Sequence, residues 1–140
     1  MPQFVLADPD GNKHPNSELE KSGLVLVVSA PTYHAQKVQR SWGALLPKAK
    51  PNGKERLVFL EDLTASSFKG IAKNQMRKEF KEGVPPLLLL DEDGRVRAGL
   101  GVPKGETWVL AFDSRGQRQL VEKGPPSAAA AKRLWAAAQK

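Results

Sequence analysis

Leu24-Val25-Leu26-Val27-Val28 is an unbroken apolar run in which three residues are β-branched. A strand with one face in water alternates polar and apolar side chains, so a run without alternation calls for cover on both faces. That requirement makes it a central strand of an α/β sheet, with helices packed on both sides.

The neighbouring segments supply the rest of such a sheet. Phe4-Val5-Leu6-Ala7 runs into Asp8-Pro9-Asp10-Gly11 and reads as a short hairpin. After the central run, Pro31-Thr32 opens a helix with Val38, Trp42, Leu45 and Leu46 on one face, which Pro47 and Pro51 are expected to end. Arg56 to Leu60 is a second apolar strand, and the crossover to it through the helix is expected to be parallel and right-handed. A second helix carries Phe68, Ile71, Ala72, Met76 and Phe80 as its buried stripe. Leu87 to Leu90 is a short strand, followed by a loop. Trp108 to Phe112 and Gln117 to Val121 flank Asp113-Ser114-Arg115-Gly116 as an antiparallel hairpin. Pro125-Pro126-Ser127 starts a final Ala-rich helix, with Ala131, Leu134, Trp135 and Ala138 on one face. The Asp-x-x-Gly pattern occurs three times in unlike surroundings, which marks independent turns rather than a repeat.

At 140 residues the chain is the size of one domain. No stretch approaches the run of about 20 apolar residues that spans a bilayer, and no basic leader precedes an apolar core. The expectation is therefore a soluble cytoplasmic protein with no membrane contact, with the proviso that a leader trimmed from the chain would leave the same start. The sequence has no cysteine, which excludes a disulfide, a thiolate nucleophile and a thiolate metal site. Lys and Arg outnumber Asp and Glu by 22 to 15, a net charge of +7 that favours acidic partners, nucleic acid among them.

In element order the chain resembles the thioredoxin-like superfamily, in particular its peroxiredoxin (AhpC/TSA) and thioredoxin-like thiol-oxidoreductase branches. The resemblance rests on Phe4-x-Leu6-x-Asp8-x-x-Gly11, on Leu24 to Ala30 leading into a helix, on Leu87 to Gly94, on Gly101-Val102-Pro103, and on Val109 to Gly116. It covers nearly the whole chain and implies a three-layer α/β/α sandwich with a mixed central sheet and an N-terminal β-hairpin. In the family pattern a Cys-x-x-Cys follows the first core strand, at the N-terminus of a helix whose dipole lowers a thiol pKa. Here Tyr33 and Gln36 stand in the cysteine positions. Of the residues that peroxiredoxins place in this loop, Thr32 remains, without the cysteine. The resemblance also places a cis-Pro, or in peroxiredoxins an Arg, close to Thr107. Matching Val84-Pro85-Pro86-Leu87 to that turn instead would leave an extra hairpin before the last helix. The fold transfers on these grounds, and the thiol chemistry does not.

A helix N-terminus presents N–H groups that lack intrahelical partners and a partial positive charge. Pro31, Thr32, Tyr33, His34 and Gln36, with Glu106 and Thr107 beside them, are therefore the candidate binding surface for another protein or an acidic ligand. The plainer alternative is that Thr32 simply caps the helix. Lys69, Lys73, Arg77 and Lys81 recur every four residues and form a candidate basic ridge, interrupted by Glu79 and Glu82. His14 and His34 have no ligand-spaced partner, and the Asp-rich turns lack the distal Glu of a calcium loop, so neither metal nor cofactor is expected. The reading is a redox-inactive binding or scaffold module. The alternatives are a cysteine-independent enzyme using His34 and Tyr33, and a binder of anionic polymers.

Overall fold

A computed structural model of the chain describes residues 2–30, 32–65 and 87–140, with the backbone alone for Tyr33 and Ala65. The stretch read as a second helix, with Lys69, Lys73, Arg77 and Lys81, lies outside the described residues, as does Pro31.

The elements run β1 (Val5–Ala7), β2 (Lys13–Pro15), α1 (Asn16–Leu19), β3 (Leu24–Ser29), α2 (Tyr33–Ala49), β4 (Arg56–Asp62), β5 (Leu87–Asp91), α3 (Arg95–Gly99), β6 (Trp108–Phe112), β7 (Arg118–Lys123) and α4 (Ala128–Ala138). One seven-stranded mixed sheet has the order β2-β1-β5-β4-β3-β6-β7. Strand β3 lies in its middle, parallel to β4 and antiparallel to β6, and β5 continues the parallel set beyond β4. The hairpin β1–β2 joins the sheet through Ala7 opposite Leu90.

The unbroken apolar runs are explained by two cores, one on each face. Val25, Val27, Leu57, Phe59, Val109 and Ala111 point toward α2 and α4, where Trp42, Leu46, Leu134 and Trp135 complete the packing. Leu24, Leu26, Val28, Val58, Leu60, Leu110 and Phe112 point the other way, toward Phe4, Leu19 of α1, Val96 of α3, and Leu100 and Val102 behind it. Every side chain of β3 is buried.

Three local expectations change. Helix α2 does not stop at Pro47 but runs on to Ala49. Proline removes one N–H from the ladder, and tertiary contacts hold the last turn regardless: Leu46 is fully buried, Ala49 packs on the core, and the Trp135 indole N–H donates to the Leu46 carbonyl at 2.9 Å. The stretch after β5, expected as loop, contains α3, started by Asp93 and Asp91 carboxylates that accept from the N–H groups of Arg95, Val96 and Arg97. Strand β4 reaches Asp62, two residues beyond the expected end, and carries both terminal carboxylates into the interior. The Asp-x-x-Gly segments are turns, as read: Asp8 Oδ1 accepts from the N–H groups of Asp10 and Asn12, and Asp113 Oδ1 from those of Arg115 and Gln117.

Candidate functional site

The parallel strands β3 and β4 both end beneath the first turns of α2, so residues at their tips form the floor of the candidate site. Side chains alternate along a strand. Ser29 therefore follows Val25 and Val27 onto the α2 face, and Glu61 follows Leu57 and Phe59 onto the same face. Ser29 and Glu61 are also partners in the parallel register. On the other side of β3, Val28 pairs with Trp108, which brings Thr107 beside Ser29. A polar row of Thr107, Ser29 and Glu61 thus crosses the sheet under the helix, all three side chains buried.

The row is bonded to itself and to α2. Ser29 Oγ and Thr107 Oγ1 are 3.0 Å apart, and each lies 3.3 Å from the Ala35 carbonyl oxygen. Two hydroxyl protons serve these three contacts: one hydroxyl donates to the carbonyl and the other donates to it. Gln39, itself buried, donates from Nε2 to Glu61 Oε1. Neither hydroxyl touches a histidine or carboxylate among the described residues, so neither is set up as a nucleophile. What the arrangement does is pin the first two turns of α2 to the sheet. Thr107→Val keeps the shape but removes one hydroxyl, and Ser29→Ala removes the other; each is expected to cost about 1 kcal/mol. Because the two hydroxyls bond each other, urea unfolding of the double variant should show a loss smaller than the sum, with a coupling of about 0.5 kcal/mol or more.

The residues singled out from the sequence fall in distinct places. Thr32 is the N-cap of α2: its Oγ1 accepts from the Ala35 N–H at 3.3 Å and its carbonyl from the Gln36 N–H at 2.9 Å. Tyr33 is the first helical residue, His34 is exposed and Gln36 is half-buried. Glu106 is exposed and accepts from the Trp108 indole N–H at 3.3 Å, while Lys123 Nζ lies 4.2 Å from the centre of the Trp108 ring. Thr107 is turned inward, with 6% of its surface accessible. The fold therefore brings the first turn of α2 and the start of β6 together, with Thr107 below the surface and Thr32, His34, Gln36 and Glu106 around it. Glu61 and Gln39 were not legible as site residues, although the period-two pattern from Leu57 through Phe59 points Glu61 inward once the strand is extended.

On the opposite face, the ends of β4 and β5 hold a second polar cluster. Asp62 and Asp91 are register partners and both fully buried. Arg97 Nε donates to Asp62 Oδ2 at 2.6 Å and its NH1 to the Val102 carbonyl at 2.6 Å, while the Thr64 N–H and hydroxyl take Asp62 Oδ1. Burial pushes the Asp62 carboxyl up, but the bonds from Thr64 and Arg97 and the Arg97 charge outweigh it, holding Asp62 below the usual carboxylate range. Asp91 is raised: burial dominates, the N–H groups of Arg97 and Val96 offset it in part, and the charges of Asp62 and Asp93 add to the rise. Of the two histidines, His14 bonds Asp8 at 3.0 Å in the N-terminal hairpin. No group of three or more side chains able to hold a metal lies together among the described residues.

No protein-family model and no curated relative matches the sequence. Solved structures do match. The pneumococcal exposed lipoprotein thioredoxin of Streptococcus pneumoniae superposes with a TM-score of 0.75 at 14% identity, over 96% of this chain and 98% of its own. A secreted Mycobacterium tuberculosis disulfide oxidoreductase homologous to Escherichia coli DsbE gives 0.67 at 17%, over 97% and 94%. A thiol:disulfide interchange protein of the thioredoxin family from Chlorobium tepidum gives 0.65 at 19%, over 99% and 94%. The similar structures are thioredoxin-like thiol:disulfide oxidoreductases, and this chain has their fold along almost its whole length without a single cysteine.

Proposed function

We propose that the chain is a redox-inactive binding module that docks a protein partner on the surface formed by the first turn of α2 and by Glu106. The observation that carries this reading is the combination of a cysteine-free sequence with a floor in which Ser29, Thr107 and the Ala35 carbonyl occupy one another. Among the described residues neither hydroxyl of that floor is paired with a base, whereas the rim keeps a capped helix start and the exposed side chains of His34 and Glu106.

A photo-crosslinking residue placed at position 34, and separately at position 106, should yield the same discrete adduct in native extract. The same probe at exposed Asn52, in the loop after the far end of α2, should not. Equal labelling at all three positions would refute the reading. If the partner contacts Tyr33, its removal should weaken the purified complex by about 2 kcal/mol, roughly 30-fold, as aromatic anchors at interfaces do. Turnover of peroxide or of a dithiol-reducible disulfide above a heat-killed control would favour the cysteine-independent enzyme instead. Location is a separate question, because the similar structures include an exposed lipoprotein and a secreted protein. Fractionation of native cells decides between that placement and the cytoplasmic one expected from the sequence.

A further inference from the structure

The net charge of +7 is not spread over the molecule. Helix α2 carries Lys37, Arg40 and Lys48, with Lys50 at its C-cap, and no Asp or Glu. The last thirteen residues, α4 with Gln139 and Lys140, carry Lys132, Arg133 and Lys140, again with no acid. These two segments hold seven of the 22 basic residues, leaving 15 basic residues against 15 acidic ones in the rest of the sequence. The charge of these two segments equals the net charge of the chain; in the rest, basic stretches such as Lys69 to Lys81 are balanced by acidic ones, and Arg133 itself is paired with Glu122 of β7.

Those helices are neighbours. Both pack on the same sheet face, the Trp135 indole N–H reaches the Leu46 carbonyl, and Lys50 Nζ lies 5.8 Å from the centre of the Trp135 ring. On α2, Lys37, Arg40, Ala44 and Lys48 follow the three- and four-residue spacing of one exposed stripe, and on α4 Ala129, Lys132, Ala136 and Lys140 do the same. The axes of two packed helices lie about 8–10 Å apart, and from Lys37 to Lys48 the α2 stripe is about 16 Å long at about 1.5 Å per residue.

We infer that this two-helix face binds the phosphate backbone of double-stranded nucleic acid without reading its sequence. Charge complementarity selects a polyanion, and the side chains between the charges decide which one. They are small: Ala44 on α2, Ala129 and Ala136 on α4. A helix that docks on an anionic membrane buries an apolar flank in the interface, and a protein interface of useful affinity centres on aromatic or other large anchors. Among the described residues the exposed large hydrophobic side chain is Val5, which lies on β1 and not on this face. Phosphate contacts need neither flank nor anchor, only cations on a rigid support. The inference is independent of the docking surface proposed at the start of α2.

The test is binding of a fluorescent DNA duplex of arbitrary sequence, measured by anisotropy across a salt series. If Lys48, Lys132 and Lys140 meet three phosphates, affinity should fall with a log–log slope of about −2.7 or steeper, a loss of about 40-fold or more between about 50 mM and about 200 mM salt. The variant Lys48→Glu, Lys132→Glu, Lys140→Glu should lose binding by more than tenfold, roughly, at low salt. The variant Lys13→Glu, Arg95→Glu, Lys104→Glu has the same net charge and should keep it. Amide shift mapping of the unmodified protein with the duplex should move α2 and α4 and leave β1 and β2 in place, which reads the site even if a variant fails to fold. Weak salt dependence, equal losses in the two variants, shifts elsewhere, or equally tight binding of polyglutamate or of anionic vesicles would each overturn the inference.

Discussion

Replacing Arg97 by alanine is expected to cost about 3 kcal/mol at pH 7, the lower end for breaking a buried pair because the Arg97 side chain keeps 16% exposure. The loss comes from what is left behind. Asp62 has no solvent access, and its register partner Asp91 is equally buried, so removing the guanidinium strands two carboxylates side by side. The pH dependence follows from the directions of the two shifts. Asp62 is held below 3.8 in the folded protein, so it contributes stability that is present above that value and disappears as pH falls through the folded pKa. Asp91 is raised, so its ionisation costs stability, and that cost grows as pH rises from 3.8 through its folded pKa. Without Arg97 its share of the first contribution is gone, the share from the Thr64 bonds stays, and the second remains. Denaturant unfolding should therefore show a large gap between the two proteins at pH 7 that persists to about pH 4 and narrows below 3.8, as pH falls through the folded pKa of Asp62. A gap that is constant with pH would mean that Arg97 matters through its stem and its bond to the Val102 carbonyl rather than through its charge.

Gly23→Ala should be comparably damaging for a steric reason. Gly23 has φ +93° and stands where a Cβ would collide with the backbone carbonyl of Ala138 at the end of α4. An L residue in that backbone region costs about 1–2 kcal/mol, and forcing packed backbone aside costs about 1–3 kcal/mol more, so the sum is about 3 kcal/mol. Gly11 provides the control. Its φ of +89° is similar but nothing lies within 4 Å of its missing Cβ, so Gly11→Ala should show only the backbone part. Equal denaturation midpoints for the two variants would remove the steric account. A lower midpoint for Gly23→Ala, accompanied by earlier exposure of Trp135 fluorescence, would support it.

Much of the architecture was legible because burial on both faces leaves a plain mark. The runs at β3, β4 and β6 have no alternation, and each proved to be a strand between two cores. The turn at Asp113 and the cap at Thr32 were legible for local reasons, since a short side chain with an oxygen can take backbone N–H groups in only a few ways. What escaped notice had weak local signals. Helix α3 is five residues long, too short for a period, and depends on carboxylates that precede it. Glu61 and Asp62 looked like the polar end of a strand, yet Gln39 and Arg97, 22 and 35 positions away, are what make their burial tolerable. Thr107 was expected at the surface, and its partner Ser29, 78 positions away, turns it inward. Distant partners of this kind leave no trace in a window of sequence.

The position of β3 in the middle of the sheet sets a schedule for a chain made from one end. Its parallel neighbour β4 leaves the ribosome soon after it, but its other neighbour, β6, begins only at Trp108. The cover over Leu46 comes later still, with Trp135. Until then the nascent chain presents an apolar strand edge and an uncovered α2 face, the kind of surface that chaperones hold and that aggregates when crowded. Native pairing of β3 is therefore a late event, completed only when the C-terminal hairpin and helix arrive, and synthesis that pauses after β5 would prolong the vulnerable interval.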